Sequence, residues 1–387
     1  MDKVLSHTLR EEDLAVTAGG LVNLILKNCV KVTGHEISGA KFLPDGITVD
    51  GRLVHVSERI APGQTLRIIL PEDEDRDAMV PARMPRGGPE ILYEDEDIVI
   101  LNKPAGIVSH PSPGHYADSM ANYLAGYYKD KGEDFVCRLV GRLDKETSGT
   151  LLFAKNRAAC ARLFRERSED ELRRTYLAIV HGLFPEGQLE GTIEGNIDAM
   201  PGVLMLRQVT GDGSGLRAVT QYRVLAQRRE EESEMPLDPE RSVGTSTSNA
   251  CGCTSAKRLG ATEDHPNTSM ARGRRPDGFD ASVESEGQMK PCGGGISLVQ
   301  CHILTGRTHQ IRLHMASIGH PLVGDTLYGP EAQMPDPDGH IVSMPGEKRA
   351  LLHAARITLI QPFTGEKIEV GAPLPSDFQC FSGYNFS

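Results

Sequence analysis

Near the start of the chain, Leu21, Leu24, Ile25 and Asn28 recur at helical spacing. The period then shortens. Gly46-Ile47-Thr48-Val49-Asp50-Gly51-Arg52 reads as a short strand ending in an Asp-Gly turn, the residue pair that favours a hairpin. Pro62-Gly63 marks another turn, and Leu66 to Leu70 a closing strand. Residues 7 to 70 therefore form a compact unit, taken with its flanks as a domain over 1–75. Residues 76–89 carry Pro81, Pro85, Gly87, Gly88 and Pro89 behind an acidic run, which is linker chemistry. A larger domain spans 90–380. Ile98 to Lys103 is strand-like, and 117–129 suits a helix with Met120, Tyr123, Leu124 and Tyr127 on one side. Phe135 to Val140 and Thr150 to Phe153 read as strands around a turn. Ala158 to Arg167 is an amphipathic helix that Asn156 can cap. Tyr176 to Val180, Ala218 to Leu225 and Ile296 to Leu304 complete a strand-rich pattern. Few helices interrupt the strands, so the fold class is α+β with a largely antiparallel sheet. Between 227 and 295 large apolar residues are scarce and Ser, Thr, Gly and Pro abound. Such a stretch cannot bury enough surface to offset chain entropy and reads as a disordered insertion.

Composition narrows the class. The chain has 387 residues, a length that suggests two or three domains, and is 39% hydrophobic and 25% charged, as in soluble globular proteins. No apolar run is long enough to span a bilayer, and the charged start has no apolar signal core. A cytoplasmic monomer with no membrane partner is expected. The net charge of −11 argues, as an average, against a phosphate-rich partner. The acids are clustered, however, in Glu72 to Asp75, Glu94 to Asp97 and Glu230 to Glu232, which leaves basic regions elsewhere. Of the eight cysteines only Cys251 and Cys253 are close, and their spacing matches no standard zinc pattern.

Two segments could carry chemistry. In Gly141-Arg142-Leu143-Asp144-Lys145-Glu146-Thr147-Ser148-Gly149-Thr150 a strand ends, polar residues turn, and the apolar run Leu151-Leu152-Phe153 resumes. That turn would present Asp144 at a sheet edge between two cations, which keep it ionised and able to act as a nucleophile or a base. The competing reading is a surface aspartate capping its own turn. In Leu304 to His314, Gly306 marks a turn, and Thr305 or Thr308 could cap a helix holding His309 to Ser317. Arg312 then shares a face with His309. Arg307, Arg312, His309 and His314 together suit a phosphate or a carboxylate. The two histidines diverge too far to share a metal, and no Walker loop, strand–GxGxxG–helix fingerprint or GxSxG elbow occurs. The residues thus offer one carboxylate, a ring of cations, and neither a metal nor a cofactor site.

These motifs resemble, in order, those of the RluA family of pseudouridine synthases. Gly141 to Gly149 with Ala154-Lys155-Asn156 resembles its signature, and Arg174 to Gly182 its tyrosine strand. Thr305 to His314 resembles its arginine motif, followed by Gly319 to Leu322, Gly324-Asp325 and Tyr328-Gly329. Asn102 to Gly106 with His110-Pro111 resembles its start, and Leu352-His353-Ala354 with Ala372 to Pro375 its end. The likeness covers residues 90 to 376 apart from the insertion. It implies an α+β domain with a bent, mostly antiparallel mixed sheet around a central basic cleft. It also implies cofactor-free isomerisation of uridine to pseudouridine in structured RNA, ribosomal in preference to transfer RNA.

By that resemblance Asp144 is the catalytic aspartate, Tyr176 packs on the flipped base, and Arg312 pairs with Asp144. Arg142 fills the gap left in the RNA, and Arg307, His309 and Lys145 contact substrate. Arg138 and Lys155 are further candidates for the cleft wall. Whether the carboxylate attacks C1′, attacks C6 or removes a sugar proton stays open. The N-terminal unit resembles the small RNA-binding domain of the ribosomal S-four type, carried by Gly46 to Arg52 and Pro62-Gly63-Gln64. Its helical part departs from that pattern, offering mainly Lys27, Lys31 and Lys41. Gly141 stands where many relatives have histidine. The alternative function is a non-catalytic RNA-binding or assembly factor on the same fold. A glycosidase would need two facing carboxylates, and Asp144 has no matching partner.

Overall fold

The computed structural model describes residues 2–71, 79–85, 87–133, 136–200, 206–211, 213–229, 292–330 and 349–381. The expected insertion therefore lies mostly outside the described residues, as do Cys251 and Cys253.

The N-terminal unit opens with a strand that the sequence pattern did not announce. β1 (Lys3–Thr8) pairs with β4 (Thr65–Leu70), which pairs with β2 (Ile47–Val49), and β2 turns into β3 (Arg52–Leu53). All pairings are antiparallel, in the order β1-β4-β2-β3. The Asp-Gly turn forms as expected, with Asp50 and Gly51 at φ 49 and 81. α1 (Val22–Asn28) and α2 (Gly34–Ala40) cover the sheet. Thr33 caps α2 through a reciprocal box with Glu36. The buried face of α1 is Val22, Ile25 and Leu26, one step round from the face that the spacing suggested. Alternation on β4 sends Leu66, Ile68 and Leu70 into the same core. Each such buried side chain contributes about 1.5–3 kcal/mol.

The larger unit is built on β5 (Glu90–Glu94), β6 (Ile98–Lys103), β7 (Arg138–Leu139), β8 (Ser148–Ala154), β9 (Arg173–Leu183), β10 (Glu190–Ala199), β11 (Arg207–Thr210), β12 (Leu216–Arg229), β13 (Cys292–Ile303), β14 (Leu352–Ile360) and β15 (Lys367–Gly371). They form one sheet in the order β11-β10-β12-β13-β9-β14-β8-β6-β5, with β15 on β14 and β7 on β8. Among the described residues only β8 and β14 run parallel, at His353↔Ser148 and Ala354↔Gly149. β8 is buried along its whole length because both faces are covered. Leu151 and Phe153 pack toward α3 (Met120–Asp130), while Leu152 and Ala154 pack toward α4 (Arg157–Ser168). Asn156 caps α4 as expected, accepting from Ala159 N at 2.8 Å.

Three boundaries differ from the sequence reading. Residues 227–229 and 292–295 continue β12 and β13 rather than belonging to the insertion. Ladder pairing uses backbone groups and tolerates polar side chains there. The described part of the expected linker is docked: Met79, Ala82 and Met84 pack on the main core, the Asn122 side chain donates to Val80 O at 2.8 Å, and the Asn122 carbonyl accepts from Ala82 N at 3.0 Å. The N-terminal unit is likewise attached. Lys3 pairs with Asp97 at 2.7 Å, Ala158 enters the N-terminal core, and the Phe363 ring contacts both the Lys3 ammonium and the guanidinium of Arg162. Among the described residues no helix is long and apolar enough to cross a membrane.

Candidate active site

The segment that carries Asp144 is gripped from several sides. Ser109 Oγ accepts from Leu143 N at 3.0 Å and donates to Leu143 O at 2.7 Å. The fully buried Lys103 donates to the carbonyls of Pro104, Ile107 and Lys145, at 2.9, 2.6 and 3.0 Å. Burial pulls Lys103 down to about 7, against the opposing charges of Glu146 and Asp144. Arg349 reaches the carbonyl of Glu146 at 3.0 Å and the hydroxyl of Ser148 at 3.2 Å, itself held by Asp377 at 2.7 Å. The next part of the segment is a strand, not the turn that Ser148-Gly149 suggested. Gly149 sits at φ 108 with its Cα pressed against the Ala354 backbone, so a Cβ there would meet Ala354 N at 2.8 Å. Only glycine permits the β8–β14 approach.

With Leu143 buried as the anchor, Asp144 faces a cavity of about 410 Å³. Tyr176, Arg142, Arg167, Arg174, Arg307 and His309 line it with Asp144. Arg142 approaches the carboxylate at 3.5 Å and keeps half of its side chain in solvent. Tyr176 is buried on β9. Burial raises its phenol above the ordinary value, so the hydroxyl keeps its proton at neutral pH. Arg174, two residues earlier on the same strand face, donates to the carbonyls of Val140 and Gly141, and its charge acts on the Tyr176 phenol against the effect of burial.

The second motif differs from expectation in three ways. Neither Thr305 nor Thr308 caps α5 (Gln310–Ser317); the N-cap is His309, in the left-handed region at φ 56 without a side-chain cap. Thr305 instead accepts from Val219 N and donates to Gln310 Oε1. Arg312 does not ion-pair with Asp144. Its Nε and Nη2 hold Asp325 at 2.7 and 2.6 Å, both groups buried. The reason is preorganisation: the amides of Leu327 and Tyr328, at 2.9 and 3.0 Å, fix the Asp325 carboxylate in a bidentate pose. Arg312 still acts on Asp144 through its charge, from beside the Tyr328 ring. Thirdly, the histidines are not cations. Burial pushes both His309 and His314 down to about 4. His309 lines the cavity and bonds Tyr328 Oη at 2.8 Å, whereas His314 is a core residue on Thr220.

Residues 97–317, more than half of the chain, match the family model described as RNA pseudouridylate synthase. The chain belongs to this family. It is 30% identical over 342 residues to the RNA pseudouridine synthase YlyB of Bacillus subtilis, covering 87% of this chain and 85% of that one. It is 31% identical over 290 residues to YhcT of the same organism, covering 75% and 70%. It is 30% identical over 298 residues to the ribosomal large subunit pseudouridine synthase D of Zymomonas mobilis, again covering 75% and 70%. The protein is an RNA pseudouridine synthase, an isomerase that acts on uridine within RNA.

For this synthase the structure gathers Asp144, Tyr176, Arg142, Arg307 and His309 around one cavity and sets Arg312 just behind it. It does not bring Lys145 there: that side chain is exposed, and only its backbone carbonyl is engaged. Lys155 pairs with Glu94 at 3.1 Å, and Arg138 binds Val136 O, so neither lines the cavity. The sequence reading gave Arg167 no role, and it quoted Arg174, Asp325 and Tyr328 within motifs without giving any of them a role. Arg174 was findable from its i, i+2 relation to Tyr176. Asp325 and Tyr328 were findable as polar residues fixed within a motif. Arg167 left no signal, because the end of an amphipathic helix is usually charged.

Proposed function

We propose that this enzyme modifies uridine in large-subunit ribosomal RNA and that Asp144 is its catalytic carboxylate. The observation that carries the assignment is the position of Asp144: it is the carboxylate on the cavity wall, beside a buried tyrosine and amid arginines. A stacked uridine shields its glycosidic bond, so the base must leave the helix. Arg142 projects into solvent at the mouth and can stack in the vacated position, offsetting part of an unstacking cost of a few kcal/mol. Tyr176 supplies a flat wall for the extruded ring. Asp144 then meets the nucleoside in a site from which bulk water is largely removed. The N1–C1′ bond breaks, the base turns, C5 bonds C1′, and the C5 proton is lost as N1 gains one. Substrate and product hold the same atoms, so the reaction has no net redox change. Neutral His309 can exchange hydrogen bonds with the base edge without adding charge. Arg312, fixed by Asp325, contributes a positive field behind the carboxylate.

Relatives named as ribosomal large subunit synthases favour ribosomal over transfer RNA as the substrate. The N-terminal unit serves as an added RNA-binding surface, supported by its resemblance to the S-four type. We place the enzyme in the cytoplasm as a monomer, with RNA its partner and no nucleotide cofactor. Chemical mapping of pseudouridine in ribosomal and transfer RNA, from cells with and without the protein, tests the substrate. Loss of one or a few sites in the large-subunit RNA is expected; loss confined to transfer RNA overturns the assignment.

A further inference from the structure

The wall of the cavity holds more positive charge than the reaction centre uses. Arg167, Arg174 and Arg307 meet there. A methyl group placed on Gly141 would collide with Arg174 Nη1 and lie 3.2 Å from Arg167 Nη1, so the two guanidinium groups converge over this glycine. A methyl on Gly306 would collide with Arg167 Nη2. The backbone of Gly306 is one that any residue adopts, so the absence of a side chain there makes room for Arg167 rather than for a turn. Three cations this close repel one another, and burial with the neighbouring charges of Arg174 and Arg307 pulls the Arg167 guanidinium below its ordinary value. The usual relief is a carboxylate. Among the described residues Arg167 has neither an ion pair nor a hydrogen bond. Arg174 is committed to the carbonyls of Val140 and Gly141, while Arg307, whose Nε donates to Arg217 O at 3.1 Å, lines the cavity. One turn before Arg167 on α4, Phe164 also lines the cavity and stays 46% exposed.

We propose that this edge of α4 is a second nucleotide subsite: Arg167 and Arg307 hold the phosphate of the RNA residue next to the flipped uridine, and Phe164 stacks on its base. The proposal rests on the reading of the cavity as the uridine site. An anion placed between the guanidinium groups removes their mutual repulsion, and an exposed ring beside a phosphate clamp is how single-stranded nucleotides are held without sequence readout. Such a clamp would keep the strand open while the uridine is out.

The test uses the full chain and ribosomal RNA from cells lacking the protein, in filter binding over a range of salt, with pseudouridine formation measured alongside. Arg167→Gln is expected to weaken binding and to lower the slope of log K against log salt by about one, the signature of one lost phosphate contact. Gly306→Ala, whose methyl displaces the Arg167 guanidinium, should reproduce both effects. Phe164→Ala should weaken binding about 5-fold to 100-fold with the salt slope kept, and Phe164→Tyr should restore it. Unchanged affinity and slope in Arg167→Gln and Gly306→Ala, or equal losses in Phe164→Ala and Phe164→Tyr, would overturn the subsite. Wild-type protein that binds this RNA but forms no pseudouridine in it removes the substrate assignment. Wild-type activity with variants that bind normally removes the subsite alone.

Discussion

Replacing Asp325 with alanine strips the counter-ion from a buried arginine. In the native protein, burial pushes the Asp325 carboxyl up, but the two Arg312 bonds, the Arg312 charge and the amides of Leu327 and Tyr328 outweigh it and leave the group below its usual range. Removing one member of such a pair leaves the other buried and uncompensated, at a cost of about 3–5 kcal/mol. The two orphaned amides push the value toward the upper end. At roughly 2 °C per kcal/mol for a chain of this size, Tm should fall by about 6–10 °C, read by scanning calorimetry or circular dichroism. The double variant Arg312→Met/Asp325→Leu should recover most of that loss, because apolar replacement of a buried pair is close to neutral. The pH dependence has a definite sign. A carboxylate with a depressed folded pKa stabilises above its unfolded value near 3.8, and that stability is lost as pH falls through the folded value. The gap between wild type and Asp325→Ala should be constant above about pH 5 and close below 3.8. A loss under about 1 kcal/mol, or a double variant as weak as the single one, refutes the reasoning.

Three further outcomes follow from buried groups around the site. Lys103 titrates near 7 when folded and 10.5 when free, so the unfolded state binds the extra proton between those values. Stability should therefore rise from pH 7 toward 10.5, by up to about 1.4 kcal/mol per unit, and Lys103→Met should lack that slope in urea titrations. His309, His314 and His353 are each pushed by burial from 6.5 to about 4. Unfolding takes up protons in that window, so stability should drop steeply as pH falls from 6.5 to 4, and His314→Asn should flatten the drop when Tm is followed against pH. Gly149→Ala forces a methyl into the Ala354 backbone at φ 108 and should cost about 3 kcal/mol or more, visible as loss of soluble folded protein or a lowered urea midpoint.

The strand order around the site could not be read from the chain, yet several of its residues could. Asp144 stood out because it sits in a polar turn between apolar runs, a boundary that a sheet converts into a cleft edge, whereas Tyr176 was named only through the resemblance of its strand to that of the family. The partner of Arg312 was misjudged because a guanidinium selects among carboxylates by geometry, and Asp325 is preorganised by two amides that no periodicity reveals. Gly149 was taken as a turn residue because the strand it must admit, β14, lies about two hundred residues away in sequence. The Pro- and Gly-rich stretch before β5 looked like a free linker although Met79 and Met84 were there to be buried. Arg167 was invisible for the opposite reason: a charged residue near a helix end carries no pattern that separates a binding wall from a solvated surface.

Most of the account hangs on the carboxylate of residue 144, and Asp144→Asn probes it with a change of one atom and one charge. In a single-turnover assay on large-subunit ribosomal RNA lacking the modification, the variant should form no pseudouridine while its RNA affinity stays within about threefold of wild type. Measurable conversion by the variant contradicts the account.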